Sequence, residues 1–452
     1  MPATVDRDRL ARLTARELER FAQARPKSRA LFERAGASLL GGVPMPWMMR
    51  WAGGFPVFLA GAQGARLTDV DGHRYVDFCL GDTGAMPGHS PSVFVQRAAR
   101  QLERGITTML PSEDAIWAAE ELSRRFTLDR WLFTLSATDA NRAALRIARQ
   151  LTGRPKVLVF SYCYHGSVDE SFAVRAADGT TVSRAGNVGP PVDVAQTTTA
   201  VEFNDLDQLE AALATGEIAC VLAEPAMTNM GIVLPDDGYH DVLRSLTLEH
   251  GTLLIIDETH TFSAGPGGCT ARWGLEPDLL TIGKAIGSGI PSGALGLTAE
   301  LAERVLAEPD ADYEDTGGVG GTLAGNALSS AAMRATLEHS LREQDFLHTE
   351  PLAARFADGV RAACSAHDLP WSVTQLGCRA EYRFEPRPAP NGTVAHAAAD
   401  PDLERYLHLH ALNRGVMITP FHNMALMAPM TTAHDVDCHT AVFTEALADL
   451  VG

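Results

Sequence analysis

The sequence predicts an α/β protein, a mostly parallel, doubly wound sheet joined to a smaller α+β portion, and three observations predict it. From Trp131 to Thr298 short apolar runs alternate with helical patterns, the order expected of successive βα units. The runs are continuously apolar rather than alternating, as strands covered on both faces are. The chain has 452 residues, 46% of them hydrophobic, enough to bury a substantial core in more than one folding unit.

Each element has a local reason. The first forty residues read as amphipathic helix, with Leu10, Leu13, Leu18, Phe21 and Leu31 at roughly helical spacing among Arg and Glu. Gly41-Gly42 ends it, an irregular Pro, Met and Trp stretch follows, and the alternation about Asp71-Gly72 predicts a hairpin. Strands are expected at Trp131–Thr134, Val157–Phe160, Ala219–Ala223, Leu253–Asp257, Leu279–Ile282 and Ala294–Thr298, and helices at Asp139–Leu151, Leu206–Ala214 and Tyr239–His250. Ala176–Val194 and Thr316–Asn326 have the composition of exposed loops, of a length often found in lids and interface elements. A helix over Leu328–Leu341 leads to a strand over Gly377–Phe384, a Pro/Ala-rich loop over Pro386–Pro401 and a final amphipathic helix over Asp435–Leu450. The expected divisions are 1–66, an N-terminal helix and segment packing with the small domain; 67–330, the large domain; and 331–452, the small domain.

Composition narrows the function. A formal charge of -18 with no Lys/Arg cluster argues against nucleic acid, whose binding requires a basic surface that displaces counterions. The seven cysteines are scattered and contain no C-x-x-C pair, so neither a disulfide framework nor a zinc site is indicated and a reducing, cytoplasmic compartment is expected. The charged N-terminus has no apolar signal core, and no run of about 18 apolar residues occurs, so no membrane partner is expected. Lysine is confined to Lys27, Lys156 and Lys284.

Lys284 follows Leu279-Leu280-Thr281-Ile282-Gly283, just beyond a buried strand, where an amine can enter a pocket and form an imine with an aldehyde cofactor; the plain alternative is a surface lysine. Asp257 closes the run Leu253 to Ile256, and a buried carboxylate requires a cationic or hydrogen-bonding partner. A pyridinium nitrogen is one such partner. A metal shared with Glu258 and His260 is the rival, although no fuller ligand set is apparent. Ser136-Ala137-Thr138-Asp139 lies between a strand and a helix, a place that suits either a phosphate or an ordinary N-cap. Tyr164-His165-Gly166 sets an aromatic ring at the same edge of the sheet.

Taken in order, Ser136-Ala137-Thr138-Asp139-Ala140, Tyr164-His165-Gly166, Glu224-Pro225, Asp257-Glu258, Gly283-Lys284, Gly321-Thr322 and Gly325-Asn326 resemble the motif series of class III aminotransferases of fold type I, over roughly residues 40 to 450. Gly41-Gly42-Val43, Asp69-Val70-Asp71-Gly72, Gly88-His89 and Cys163-Tyr164-His165-Gly166 resemble the glutamate-1-semialdehyde aminomutase branch in particular. The resemblance implies pyridoxal 5'-phosphate as cofactor, bound by the large domain. Lys284 forms the Schiff base, Asp257 pairs with the pyridine nitrogen and Tyr164 stacks on the ring. Ala137 and Thr138 hold the phosphate, Glu224 lies at the substrate end, and Thr322 reaches the phosphate from a neighbouring subunit. A homodimer with shared sites follows.

The chain also departs from that pattern. Ala137 and Asp139 stand where the family has Gly and Glu, and Thr259 where it commonly has Val beneath the ring. The aminomutase arginine shortly after Gly-Gly-Val is missing, since the stretch reads Pro44-Met45-Pro46-Trp47-Met48-Met49 and arginine arrives only at Arg50. Thr419 to Pro429 likewise lacks the C-terminal arginine of many transaminases. A bidentate carboxylate fork is directional. These absences therefore predict an aminotransferase that moves an amino group between a small-molecule amine donor and a carbonyl acceptor, with a largely apolar pocket drawn from Trp47, Met48, Trp51, Phe55 and Phe421. Arg379 or Arg383 could still clamp a carboxylate. The competing readings are an aminomutase of the glutamate-1-semialdehyde type, another reaction on the same cofactor, a non-catalytic cofactor-binding relative, and a nicotinamide oxidoreductase, which the lack of a strand-borne G-x-G-x-x-G disfavours.

Overall fold

The computed structural model describes residues 5–189, 192–309 and 317–452; Pro190 and Pro191 of the first expected loop, and Thr316 of the second, lie outside them. By its contacts the chain divides into two compact units, one formed by Ser92–Phe346 with Ala389–Ala397, the other by Met1–Pro91, Leu347–Pro388 and Ala398–Gly452.

The first unit is built on a seven-stranded sheet in the order Arg130–Thr134, Gly293–Leu297, Leu279–Ile282, Leu253–Asp257, Ile218–Ala223, Lys156–Phe160, Thr198–Val201. The last five strands in that order are mutually parallel, whereas Gly293–Leu297 runs antiparallel to both its neighbours. Every residue of Ile218–Ala223, Leu253–Asp257 and Leu279–Ile282 is buried, which is why those runs carry no polar alternation. The helix Ala137–Thr152 covers one stretch of the sheet, and its Ala144, Leu145, Ile147 and Ala148 share a core with Val157, Val159, Val221 and Ile255. The doubly wound α/β architecture is thus present.

Register fixes what meets at the carboxyl edge. Asp257 pairs with Thr281 and Ile256 with Ala223, so Glu224, Asp257 and Lys284 leave three adjacent strands at one end. Three local details differ from expectation. The edge strand Thr198–Val201 was hidden by its threonines. The helix expected at Asp139 starts at Ala137, because Ser136 caps it by accepting the Asp139 N–H. Part of the first expected loop forms a two-stranded hairpin, Ala173–Arg175 with Thr181–Ser183.

In the second unit the N-terminal segment forms two helices, Arg7–Ala24 and Pro26–Ala35. They break at Arg25 because Pro26 disfavours helical backbone in the residue before it and starts the next helix well. Buried Arg25 donates to Tyr75 Oη at 3.1 Å, Asn413 Oδ1 at 2.9 Å and the Leu412 carbonyl at 3.0 Å, fastening this segment to the hairpin and the C-terminal helix Pro401–Leu412. The Asp71-Gly72 turn joins Arg66–Asp69 to Arg74–Asp77 as an antiparallel pair. A three-stranded sheet of Ser372–Leu376, Arg379–Arg383 and Met424–Leu426 and the final helix Ala433–Val451, closed by a Thr432/Asp435 capping box, complete the α+β unit. Among the described residues no helix is long and apolar enough to cross a membrane.

Candidate active site

Lys284 opens a short turn directly after the Leu279–Ile282 strand and Gly283. Its φ of 48° is a left-handed backbone conformation that few side-chain-bearing residues adopt, the kind of local strain that collects at functional sites. A Cβ on Gly283 would lie 2.8 Å from the Ala137 nitrogen, so the lysine turn and the first turn of the Ala137–Thr152 helix approach more closely than any other residue at 283 permits. A second glycine closes the same corner: Gly166, at φ +77°, would drive a Cβ into the Thr138 hydroxyl. Thr138 Oγ1 accepts the Ser167 N–H at 3.2 Å. Lys284, Ala137, Thr138 and the Tyr164-His165-Gly166 loop therefore converge.

Asp257 is 3% exposed. Its Oδ2 accepts from His165 Nδ1 and Asn141 Nδ2, each at 2.9 Å, and its Oδ1 accepts the Thr259 N–H at 3.0 Å. Burial pushes its pKa up, but His165 and these hydrogen bonds outweigh burial and hold it at about 2. His165 is shifted the other way: burial opposes its charge, Cys163 and Asp257 favour it, and it stays protonated well above the ordinary imidazole range. Glu224, beside them, is pushed up to about 7 by burial, against the pull of His165 and a hydrogen bond from Thr228. The edge thus holds one firmly ionised carboxylate and one that titrates near neutrality.

Among the described residues, Thr259 Oγ1 is buried with no hydrogen-bond partner. Glu258 accepts from the Thr261 and Thr270 hydroxyls and the Cys269 N–H; among the described residues no group of three or more His, Cys, Asp or Glu could hold a metal. The donor set matches an aromatic, phosphorylated cofactor. An ionised Asp257 with lone-pair capacity left on Oδ1 suits a protonated ring nitrogen. The helix start at Ala137 and Thr138 offers N–H groups and a hydroxyl to an anion, two glycines leave room, and an amine stands at the strand end.

Six of the expected residues, Ala137, Thr138, Glu224, Asp257, Thr259 and Lys284, gather at this edge. Tyr164 precedes the Asp257-bound His165 and is 39% exposed. Thr322 is exposed on the loop before the helix Ala327–His339. Asn141 was missed, although it lies one helical turn beyond Ala137; it ties Asp257 to Thr281, whose Oγ1 donates to Asn141 Oδ1 at 2.6 Å. His165 was read only as part of a motif, and His260 only as a metal candidate. In the other unit, Arg379 is 1% exposed and 3.8 Å from Asp82, and Arg383 is 3.7 Å from Glu385.

Residues 47–450 match the family described as Aminotransferase class-III. A glutamate-1-semialdehyde 2,1-aminomutase of Anaeromyxobacter sp. (strain Fw109-5) is 35% identical over 413 residues, 90% of this chain and 94% of that protein. A crystal structure of a glutamate-1-semialdehyde-aminomutase from Pseudomonas aeruginosa PAO1 is 49% identical, covers 99% of both chains and superposes with a TM-score of 0.96; a lysine-to-alanine variant of it was crystallised in complex with PMP. An omega-transaminase from Sphaerobacter thermophilus is more distant, at 28% identity over 94% of this chain and 98% of that one, TM-score 0.85.

These relatives overturn the aminotransferase expectation and favour the aminomutase alternative. The expectation rested on counting arginines at matching positions, and position in sequence is a poor guide there. Pro46–Arg50 folds into a helical turn, and the Arg50 guanidinium lies 5.7 Å from the Phe421 ring centre, so the segment read as apolar carries a cation among its aromatic groups.

Proposed function

The chain belongs to the class-III aminotransferase family and is a pyridoxal-5'-phosphate-dependent enzyme of fold type I, and from that premise we propose that it is an aminomutase of the glutamate-1-semialdehyde 2,1 type. It would move the amino group from carbon 2 to carbon 1 of a small aminoaldehyde. The observation that carries this reading is the 49% identity over 99% of both chains to a glutamate-1-semialdehyde-aminomutase.

When bound, pyridoxal phosphate supplies an aldehyde carbon that takes up amino groups and an electron-poor ring that stabilises negative charge on the neighbouring carbon. Lys284 would hold it through Nζ and, once released by the substrate amine, move a proton on and off the reacting carbons at that same atom. Asp257, ionised and fixed by His165 and Asn141, would keep the ring nitrogen protonated. Thr259 would lie beneath the ring and Tyr164 would stack on it. Ala137 N–H and the Thr138 hydroxyl would bind the phosphate at the start of their helix, and Glu224 would face the substrate end. Thr322 would complete the phosphate site of a partner subunit, which makes a homodimer the working unit.

An aminomutase requires no second carbonyl compound. The holoenzyme, given glutamate 1-semialdehyde alone, should form an isomer of unchanged mass whose amine is on carbon 1, followed by NMR. Conversion only after a separate amino acceptor is added would contradict the proposal.

A further inference from the structure

His260 Nε2 lies 2.7 Å from Lys284 Nζ. Both side chains leave the same sheet edge, His260 three residues beyond the Leu253–Asp257 strand and Lys284 two beyond Leu279–Ile282. The contact is held from both ends. The Thr261–Ala264 turn that follows His260 is wholly buried, and its Phe262 packs against Phe126 and Phe346; Lys284 is pinned by its left-handed backbone and the close approach of Gly283 to Ala137. His260 is 8% exposed, which limits competition from water for that hydrogen bond. Of the two carboxylates at the end of the Leu253–Asp257 strand, Asp257 bonds His165 and Asn141 and Glu258 bonds Thr261 and Thr270.

We propose that His260 is a further catalytic residue, a proton relay that takes the Nζ proton of Lys284 and gives it back, an inference that rests on Lys284 being the cofactor lysine. An ammonium has no lone pair, so Nζ must lose a proton before it can attack an aldehyde. A neutral imidazole with hydrogen on Nδ1 presents its own lone pair at Nε2. In the transfer an N–H bond breaks on Nζ, one forms on Nε2, and the positive charge passes from lysine to the ring; in the cofactor-free protein the reverse transfer restores the ammonium. No oxidant or co-reactant is consumed.

The test uses cofactor-free protein, so that catalytic turnover is not the readout. Lys284 acylation by a small neutral reagent is followed at pH 7 by peptide mass spectrometry, with Lys156, paired to Glu217 at 2.8 Å, as the internal reference. The rate of visible absorbance gain on adding pyridoxal phosphate is recorded in parallel. His260→Gln keeps a hydrogen-bonding group but cannot carry the proton, so both Lys284 rates should fall by about tenfold or more, with Lys156 unchanged. His260→Ala should lose as much and regain part of it with added imidazole. Rates in His260→Gln within about twofold of the parent would overturn the relay and leave only a positioning contact. A Lys284→Ala protein that still gained the absorbance band would instead sink the assignment of Lys284, whatever His260 does.

Discussion

Asp257 sits where a lone carboxylate could not stay ionised, and three neighbours explain why it does. Its charge is matched by His165 and its oxygens accept from Asn141 and the Thr259 N–H. Asp257→Asn keeps the shape and removes the charge, so turnover should drop roughly a hundredfold or more while the cofactor remains attached. Because it also strands the His165 imidazolium in the interior, unfolding stability should fall by about 3–5 kcal/mol, measurable by denaturant titration; a variant as stable and active as the parent would refute both statements. Glu224 behaves in the opposite sense. Its pKa is about 7 in the fold against an ordinary 4.5, so between those values the folded protein retains a proton that the unfolded chain has lost. Its stabilising contribution is full below about pH 4.5, declines as pH rises and is gone above about 7. Glu224→Gln should flatten that decline in melting temperature of the cofactor-free protein between pH 5 and 7. Lys284 and Asp257 were legible because each closes an apolar run. Asn141 and His260 were not, since a polar residue on a helix or beyond a strand reveals its partner only once the chain is folded.

At the scale of elements, the site depends on how closely a strand end, a helix start and a loop approach one another. Gly283→Ala would press a methyl onto the Ala137 N–H, and Gly166→Ala would press one onto the Thr138 hydroxyl in a backbone conformation that disfavours side chains. Each should cost about 1–3 kcal/mol of stability and weaken retention of the cofactor, which a melting curve and a dialysis assay would register; unchanged retention in both would show that this corner does not bind the phosphate. The central strands could be read from sequence because Ile218–Ala223, Leu253–Asp257 and Leu279–Ile282 are buried on both faces. Among the described residues Thr198–Val201 pairs on one side only, with Lys156–Phe160, and its two threonines break the apolar pattern. The antiparallel direction of Gly293–Leu297 has no signature in composition at all.

For the molecule as a whole, the misread reaction has a physical cause: the residues that hold the cofactor are common to transfer and isomerisation, so motifs such as Asp257-Glu258 and Gly283-Lys284 carry no information on outcome. The proposed homodimer with shared sites gives a sharper expectation. A mixed dimer of Lys284→Ala and Thr322→Ala subunits should contain one complete site and bind half the cofactor with parental affinity; binding only at the weaker affinity of Thr322→Ala would place Thr322 in its own subunit's site. The central claim, that Lys284 carries the cofactor, is tested most directly by borohydride reduction of the holoenzyme followed by peptide mapping. With lysine present only at Lys27, Lys156 and Lys284, the reduced pyridoxyl group should be found on the Lys284 peptide, and finding it on Lys27 or Lys156 would contradict the account.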